Sequence, residues 1–245
     1  MKHLQDIGSY FLMLKKVFGS FTKASVLKEL ILKEIDDLIF GSLGIVAFIS
    51  FFIGGVIALQ TALNLTNPII PKTLVGFATR QSTILEFAPT FISIIMAGKV
   101  GSFITSSIGS MRVTEQIDAL EVMGINSLNY LVFPKIVAMM MYPFLIAMAM
   151  FLGILGGYTA GVYGGFTSST DFIGGLQDEF IPFHLVYAFA KTFVFAFILA
   201  TVPSWQGYYM KGGALEVGKA STKSFVWTSV LIILSNYIIT QLLLS

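Results

Sequence analysis

Five long apolar runs constrain this chain more than any other feature. They cover approximately Leu38–Leu63, Ile84–Ile108, Ile136–Tyr163, Phe183–Ser204 and Phe225–Leu244. Each reaches the roughly 20 helical residues needed to cross about 30 Å of hydrocarbon. Continuous runs do not fit the alternating strands of about ten residues that build a membrane barrel. The expected class is therefore an all-α integral membrane protein with five transmembrane helices. Charge usage agrees: the 245 residues hold 15 Lys and Arg and 13 Asp and Glu, where a soluble domain of this length carries about 60 charged side chains. So few cannot cover a soluble globule, and so apolar a chain does not stay disordered. With no cysteine there is no disulfide framework, thiolate nucleophile or Cys-ligated metal. A net charge of +2 is too small to point to a nucleic-acid partner.

Lysine and arginine set the expected orientation. Lys2, Lys15, Lys16, Lys23, Lys28 and Lys33 precede the first run, Arg112 and Lys135 follow the second, and Lys211, Lys219 and Lys223 follow the fourth. The opposite side has only Lys72 and Arg80, and the 164–182 loop carries Asp171, Asp178 and Glu179 with nothing basic. This predicts a cytoplasmic N-terminus and, after five crossings, a C-terminus on the far side. Residues 1–37 lack the apolar core and small-residue cleavage site of a signal peptide. Instead Leu4, Ile7, Phe11, Leu14, Phe18 and Phe21 recur three and four apart, the spacing of one helix face. With lysines mostly off that face, the segment is expected to lie in the membrane interface. No linker or repeat divides the chain, so a single domain is expected over 1–245, with 1–37 interfacial and 38–245 transmembrane.

Three ionisable side chains fall within the runs: Glu86, Lys99 and Lys191. Charges at mid-bilayer are costly and usually face a cavity or a partner. Pro89 should loosen the helix beside Glu86, Lys99 is near enough to one end to snorkel, and Lys191 lies about 12 Å deep by its place in the fourth run. Gly153, Gly157, Gly161 and Gly165 stand four apart. Such rows let helices approach closely, either within one chain or between subunits. Gly213 to Ala220 nearly spells a phosphate-binding loop, but Ala220 replaces the magnesium-binding hydroxyl and no strand precedes it. The two histidines, His3 and His184, have no second ligand at metal-site spacing. No catalytic constellation of the chain's own is expected.

The most informative stretch is Ala97-Gly-Lys-Val-Gly-Ser102 followed by Gly109-Ser-Met-Arg-Val-Thr-Glu-Gln-Ile-Asp-Ala-Leu-Glu-Val-Met-Gly124. Thr114 is placed to cap a short helix from Glu115 to Met123 that Gly124 closes. Glu115 and Asp118 fall in its first turn, and Ile117, Leu120 and Val122 or Met123 give it an apolar side. A short amphipathic helix between two spans suits docking on a soluble partner.

This stretch closely resembles the signature of the MlaE (YrbE) family of ABC-transporter permeases, A-G-R-x-G-S…G-x-M-[KR]-x-T-E-Q-[IL]-[DS]-A-L-E. A second block, G-G-A-x-x-V-G-[RK]-A-[ST]-T, matches Gly212 to Thr222, and the family's I-K-S appears as Ala190-Lys191-Thr192. The resemblance implies a homodimeric phospholipid permease of the bacterial inner membrane. It makes the loop helix, with Thr114, Glu115, Gln116, Ile117, Asp118, Leu120 and Glu121, the coupling helix that seats in a cytoplasmic ABC ATPase (MlaF-like). It also implies a periplasmic MCE-domain protein (MlaD-like), leaves open a STAS-domain subunit, and assigns no cofactor to this chain, because the ATPase binds ATP and Mg. Two departures stand out. The family's R-E-[LF]-[GA]-P reads Leu85-Glu86-Phe87-Ala88-Pro89 here, leaving Glu86 paired elsewhere or protonated. Lys99 replaces the commoner arginine, keeping the charge but losing the bidentate fork. The residues alone also leave room for an ion-coupled secondary transporter built on Glu86 and Lys191, or for a non-transporting scaffold for MCE proteins.

Overall fold

The computed structural model describes residues 2–19, 22–65 and 70–244, with side chains from Asp6 to Leu243 within those ranges. Every regular element among them is helical. The first stretch forms α1 (Lys2–Val17) and α2 (Ala24–Leu38), and after a single 3-10 turn at Phe40–Ser42 the first apolar run becomes α3 (Leu43–Asn64). The second is α4 (Thr73–Ser82), a π-helical segment Thr83–Phe91, α5 (Ile92–Met96), a second π segment Ala97–Gly101, and α6 (Ser102–Val113). Then come α7 (Gln116–Val122), α8 (Ser127–Met139) and α9 (Tyr142–Tyr158), the last extended by a third π segment, Thr159–Tyr163. The remainder is α10 (Ser169–Gln177), α11 (Phe183–Tyr208) and α12 (Ala214–Leu244). Five of these stretches are long and apolar enough to cross a membrane: Ala24–Asn64, Thr73–Val113, Ser127–Tyr163, Phe183–Tyr208 and Ala214–Leu243.

Four of the five expected runs lie wholly inside those stretches and the fifth ends one residue past its own, but the helices begin earlier or end later. The second starts at Thr73 rather than Ile84, and the fifth at Ala214 rather than Phe225. Apolar composition marks where hydrocarbon begins, whereas backbone hydrogen bonding continues a helix into the polar zone. The loop after Tyr163 also contains α10, started by Ser168, whose side-chain oxygen accepts from the Asp171 N–H at 3.0 Å.

In α1 the expected apolar face stays outward: Ile7, Phe11 and Phe18 are exposed, and so is Leu12. The opposite side packs inward through Met13 and Val17, both fully buried. Tyr10 shares a 2.8 Å hydrogen bond with Thr201, and Trp205 Nε1 donates to Ser9 Oγ at 2.9 Å. The helix thus uses one face for the protein and keeps one free, as an interfacial helix requires. Phe21 and the side chain of Leu4 lie outside the described residues.

The chain forms two compact units, neither of them a continuous stretch. One comprises Met1–Gly41, Ser93–Tyr142 and Phe193–Leu242. Its core includes Leu38, Ile104, Ile108, Val132 and Leu199, and Lys135, almost fully buried, forms an ion pair with Glu34 that ties α8 to α2. The other comprises Ser42–Ile92, Pro143–Thr192 and Leu243–Ser245. Ala58, Val75 and Phe172 form its apolar centre, flanked by Tyr158, Val162 and Leu176.

Glycine decides the packing of the second unit. A Cβ on Gly54 of α3 would lie 1.8 Å from the Gly153 carbonyl oxygen, and one on Gly156 would lie 1.9 Å from the Phe51 carbonyl oxygen. Only residues without a side chain permit α3 and α9 to cross so closely. Gly153 and Gly157 face Thr83 and Thr79 of the second span, where a Cβ would sit 2.7 and 2.5 Å from their methyls. These glycines therefore serve packing within the chain. Gly165 does not belong to the row: it has φ +76 and open space around its Cβ position, so it is a turn glycine that ends the helix.

Gly54→Ala is expected to destabilise the protein in detergent by about 1–3 kcal/mol, the usual cost of overpacking. Gly44→Ala, whose Cβ meets nothing within 4 Å, serves as the control and should leave the thermal unfolding midpoint unchanged or higher. Equal midpoints for the two variants would contradict the crossing described.

Candidate functional site

Pro89 shapes the first polar centre. It has no N–H, so the Leu85 carbonyl loses the donor that an α-helix would supply at position i+4. The segment Thr83–Phe91 adopts π geometry, a form that recurs at functional sites. Lys191 of α11 donates to that same Leu85 carbonyl at 2.9 Å. Its ammonium also lies 3.0 Å from Glu86 Oε1 and 2.8 Å from the Tyr187 hydroxyl, and 4.5 Å from the centre of the Tyr187 ring. Thr90 Oγ1 donates to the other carboxylate oxygen at 3.1 Å, and the Tyr187 hydroxyl donates to Oε1 at 3.4 Å.

The lysine head is thus satisfied by a carbonyl, a carboxylate and a hydroxyl, which is what allows a fully buried ammonium in an apolar helix. Lys191 is 0% exposed whereas Glu86 is 38% exposed. The pair presents its carboxylate outward and keeps its cation inside. Of the two sequence alternatives for Glu86, the structure supplies the partner. The third intramembrane charge, Lys99, belongs to the other unit and donates to the Gly41 carbonyl at the break between α2 and α3.

Arg80 was counted with the loop charges but lies inside α4, 4% exposed. Its guanidinium donates to the carbonyls of Leu176, Asp178 and Glu179 at 2.7, 2.8 and 3.4 Å. It stands 5.1 Å from the Phe77 ring and 5.7 Å from that of Phe180. Arg80 therefore caps the C-terminal end of α10, where free carbonyls and the helix dipole favour a cation. No local pattern announces it, because its acceptors are 96 to 99 residues away.

The second centre is the loop helix. Gly124, with φ +73, closes α7 as expected. Its N–H reaches Glu121 O at 2.9 Å and the Ile125 N–H reaches Leu120 O at 3.0 Å, the paired bonds of a Schellman motif. The start differs from expectation. Thr114 does not cap α7, because its hydroxyl donates back to Ser110 O at 2.9 Å and completes α6. The cap position is Glu115, held in the left-handed region at φ 59 with no side-chain capping bond. That conformation is uncommon outside glycine, asparagine and aspartate, and it turns the chain sharply between α6 and α7.

Two further side chains have roles inside the chain. Ile117 is fully buried, so it anchors α7 to its own protein and is not available to a docking partner. Glu121 accepts from the hydroxyls of Ser127 and Tyr208, each at 2.9 Å, and these two hydroxyls lie 2.8 Å apart. These bonds hold the Glu121 carboxyl below the ordinary carboxylate range, the Tyr208 bond contributing most and Ser127 next. Asp118 receives Arg112 Nη1 at 2.8 Å with both groups partly exposed. Leu120 is half-buried, while Thr114, Glu115, Gln116 and Asp118 face outward. The exposed apolar residues of the loop are Val122 at 89% and Met123 at 65%. Of the apolar side expected from the spacing, Ile117 and Leu120 thus turn toward the chain and Val122 and Met123 outward, because helical spacing does not say which side faces the chain's own core.

Among the described residues no three His, Asp or Glu side chains converge as a metal site would require. The phosphate-loop lookalike opens α12: Gly212 has φ +114 and Lys219 pairs with Glu216 at 2.7 Å.

Comparison with known proteins places these centres in context. Residues 31–242 match the family model described as Permease MlaE. The chain is 34% identical over 239 residues to a protein of Rickettsia bellii (strain RML369-C) named "Probable ABC transporter permease protein", covering 97% of this chain and 92% of that one. It is 27% identical over 216 residues to the "Intermembrane phospholipid transport system permease protein MlaE" of Haemophilus influenzae, covering 87% and 82%. It is 28% identical over 203 residues to "Protein TRIGALACTOSYLDIACYLGLYCEROL 1, chloroplastic" of Arabidopsis thaliana, covering 82% of this chain and 57% of the plant protein.

Lys191→Met should cost about 3 kcal/mol, near the low end for breaking a buried pair because Glu86 is itself only partly buried. The same substitution in a Glu86→Gln background should cost clearly less. Additive losses in the unfolding midpoint would contradict the pairing. For α7, the sign follows from the lowered Glu121 pKa. Its contribution is present above the ordinary carboxylate range and is lost as pH falls through the depressed value. Since the chain has no native cysteine, a spin label on Val122→Cys should report a more mobile α7 in acid. In Glu121→Gln the label should be mobile already at neutral pH; a pH-independent wild type would rule the latch out.

Proposed function

Because this chain belongs to the MlaE permease family and is the multi-pass permease subunit of an ABC transporter, we propose that it moves phospholipid between the inner and outer membranes of a bacterial envelope. The Haemophilus relative is named for that transport. The work is done by a separate ATPase, which binds ATP and Mg and docks on α7. The observation that carries this reading is the build of α7: a helix of seven residues set between two spans, closed by a Schellman motif and latched by Glu121, yet exposed on its outer side. Such a helix is rigid toward its own protein and free toward a partner.

In this reading Glu115, Gln116 and Asp118 supply the polar contacts and Val122 with Met123 the apolar anchor. A load on α7 reaches α6 and α8 directly, since it is joined to both by turns of a few residues. Lipid is taken up near Glu86, whose outward carboxylate, held from behind by the buried Lys191 ammonium, answers the cationic part of a headgroup. The protein acts as a homodimer in the inner membrane. Only 11% of the most apolar window of α12 is buried, against 33–56% in the other four spans, so α12 has surface for lipid and for a second copy. The N-terminus faces the cytoplasm with α7, and an MCE-domain protein receives or delivers lipid on the periplasmic side.

The test is Val122→Asp combined with Met123→Asp. Stimulated ATP hydrolysis in the assembled complex should fall by about tenfold or more, as loss of a central apolar anchor would cause, while gel filtration of the permease is unchanged. Full ATPase stimulation in that variant would overturn the docking assignment.

A further inference from the structure

A groove of about 450 Å³ lies in the first unit, where α1 crosses the end of α11 and the start of α12. Its apolar wall is Trp205, Met210 and Ala220, joined by Tyr209. Trp205 is fixed in place: its ring N–H donates to Ser9 at 2.9 Å and its ring lies in a T-shaped contact with Tyr10, ring centres 6.5 Å apart. Around the wall stand three lysines, Lys211, Lys219 and Lys223, and two carboxylates, Asp6 and Glu216. Glu216 is engaged by Lys219 at 2.7 Å, which leaves Lys211 and Lys223, both exposed, against Asp6 alone.

The groove's position is given independently by α1. Its exposed face of Ile7, Phe11, Leu12 and Phe18 is 47–63% accessible, and a face of that size on a membrane protein is covered by lipid. A groove bounded by that helix lies at headgroup depth. Tryptophan and tyrosine prefer that depth because one part of each ring is apolar and the other hydrogen-bonds. Lysines there attract anionic headgroups.

We propose that this groove is a binding site for one anionic phospholipid of the leaflet in which α1 lies, its phosphate between Lys211 and Lys223 and its glycerol region against Trp205. The site goes beyond the transport reading, because the lipid here is a resident ligand and not cargo. It staples α1 to α11 and α12, so lipid charge would govern how firmly the interfacial helix is held.

Trp205 makes the site observable. The chain has two tryptophans, so Trp227→Phe leaves Trp205 as sole reporter. The permease is placed in nanodiscs of phosphatidylcholine doped with brominated phosphatidylglycerol or, at equal fraction, brominated phosphatidylcholine. Quenching of Trp205 should favour phosphatidylglycerol, and the preference should fall about fivefold for each of Lys211→Gln and Lys223→Gln. Glu216→Gln, which releases Lys219, should raise it. Inorganic phosphate should not compete. Equal quenching by the two lipids, a preference that survives the double lysine substitution, or displacement by inorganic phosphate would each overturn the proposal. None of these outcomes touches ATPase coupling, so this site and the transport reading fail separately.

Discussion

Inside hydrocarbon a buried ammonium without partners costs several kcal/mol, and α11 carries one in Lys191. Its ammonium donates to the Leu85 carbonyl of the π-helical stretch that holds Pro89 and pairs with the adjacent Glu86 carboxylate. These bonds explain several features together. They allow a fully buried lysine to lie in α11, they fix the neighbouring Glu86 as its counter-charge, and they tie the π-distorted second span to the fourth within one unit. Lys191 and Glu86 form a single device whose open side is the Glu86 carboxylate.

Much of this architecture was legible in the sequence because membrane chains obey few rules strictly. Long apolar runs located five spans, and scarcity of charge singled out Glu86, Lys99 and Lys191. Nothing local could reveal that Glu86 and Lys191, 105 residues apart, meet while Lys99 serves a different carbonyl. Arg80 escaped notice for the same reason, since an arginine near a loop is ordinary until the carbonyls it caps are known.

The loop helix shows where short-range rules stop. Gly124 was readable as a helix end because a left-handed closing residue is a local requirement that glycine meets. Thr114 was readable as a cap only on the assumption that its hydroxyl points forward. Threonine bonds equally well to a carbonyl four residues back, and here it does. The glycine row shows a related limit. Spacing of four identified Gly153, Gly157 and Gly161 but not Gly156, whose Cβ position lies 1.9 Å from the Phe51 carbonyl oxygen of α3, and Gly165 continues the spacing without continuing the helix.

The latch of the loop helix rests on the end of α11, where Tyr208 holds Glu121 of α7. An α-helix resists compression and bends where its hydrogen-bond ladder is broken. In α11 that point is Pro203, five residues from the Tyr208 latch. The Pro203 carbonyl accepts from Thr105 of α6 at 3.1 Å, and α6 is the helix that leads into α7. The end of α11 is thus held at two points, Tyr208 by Glu121 of α7 and Pro203 by Thr105 of α6, so that α6, α7 and the last turns of α11 form one hydrogen-bonded assembly.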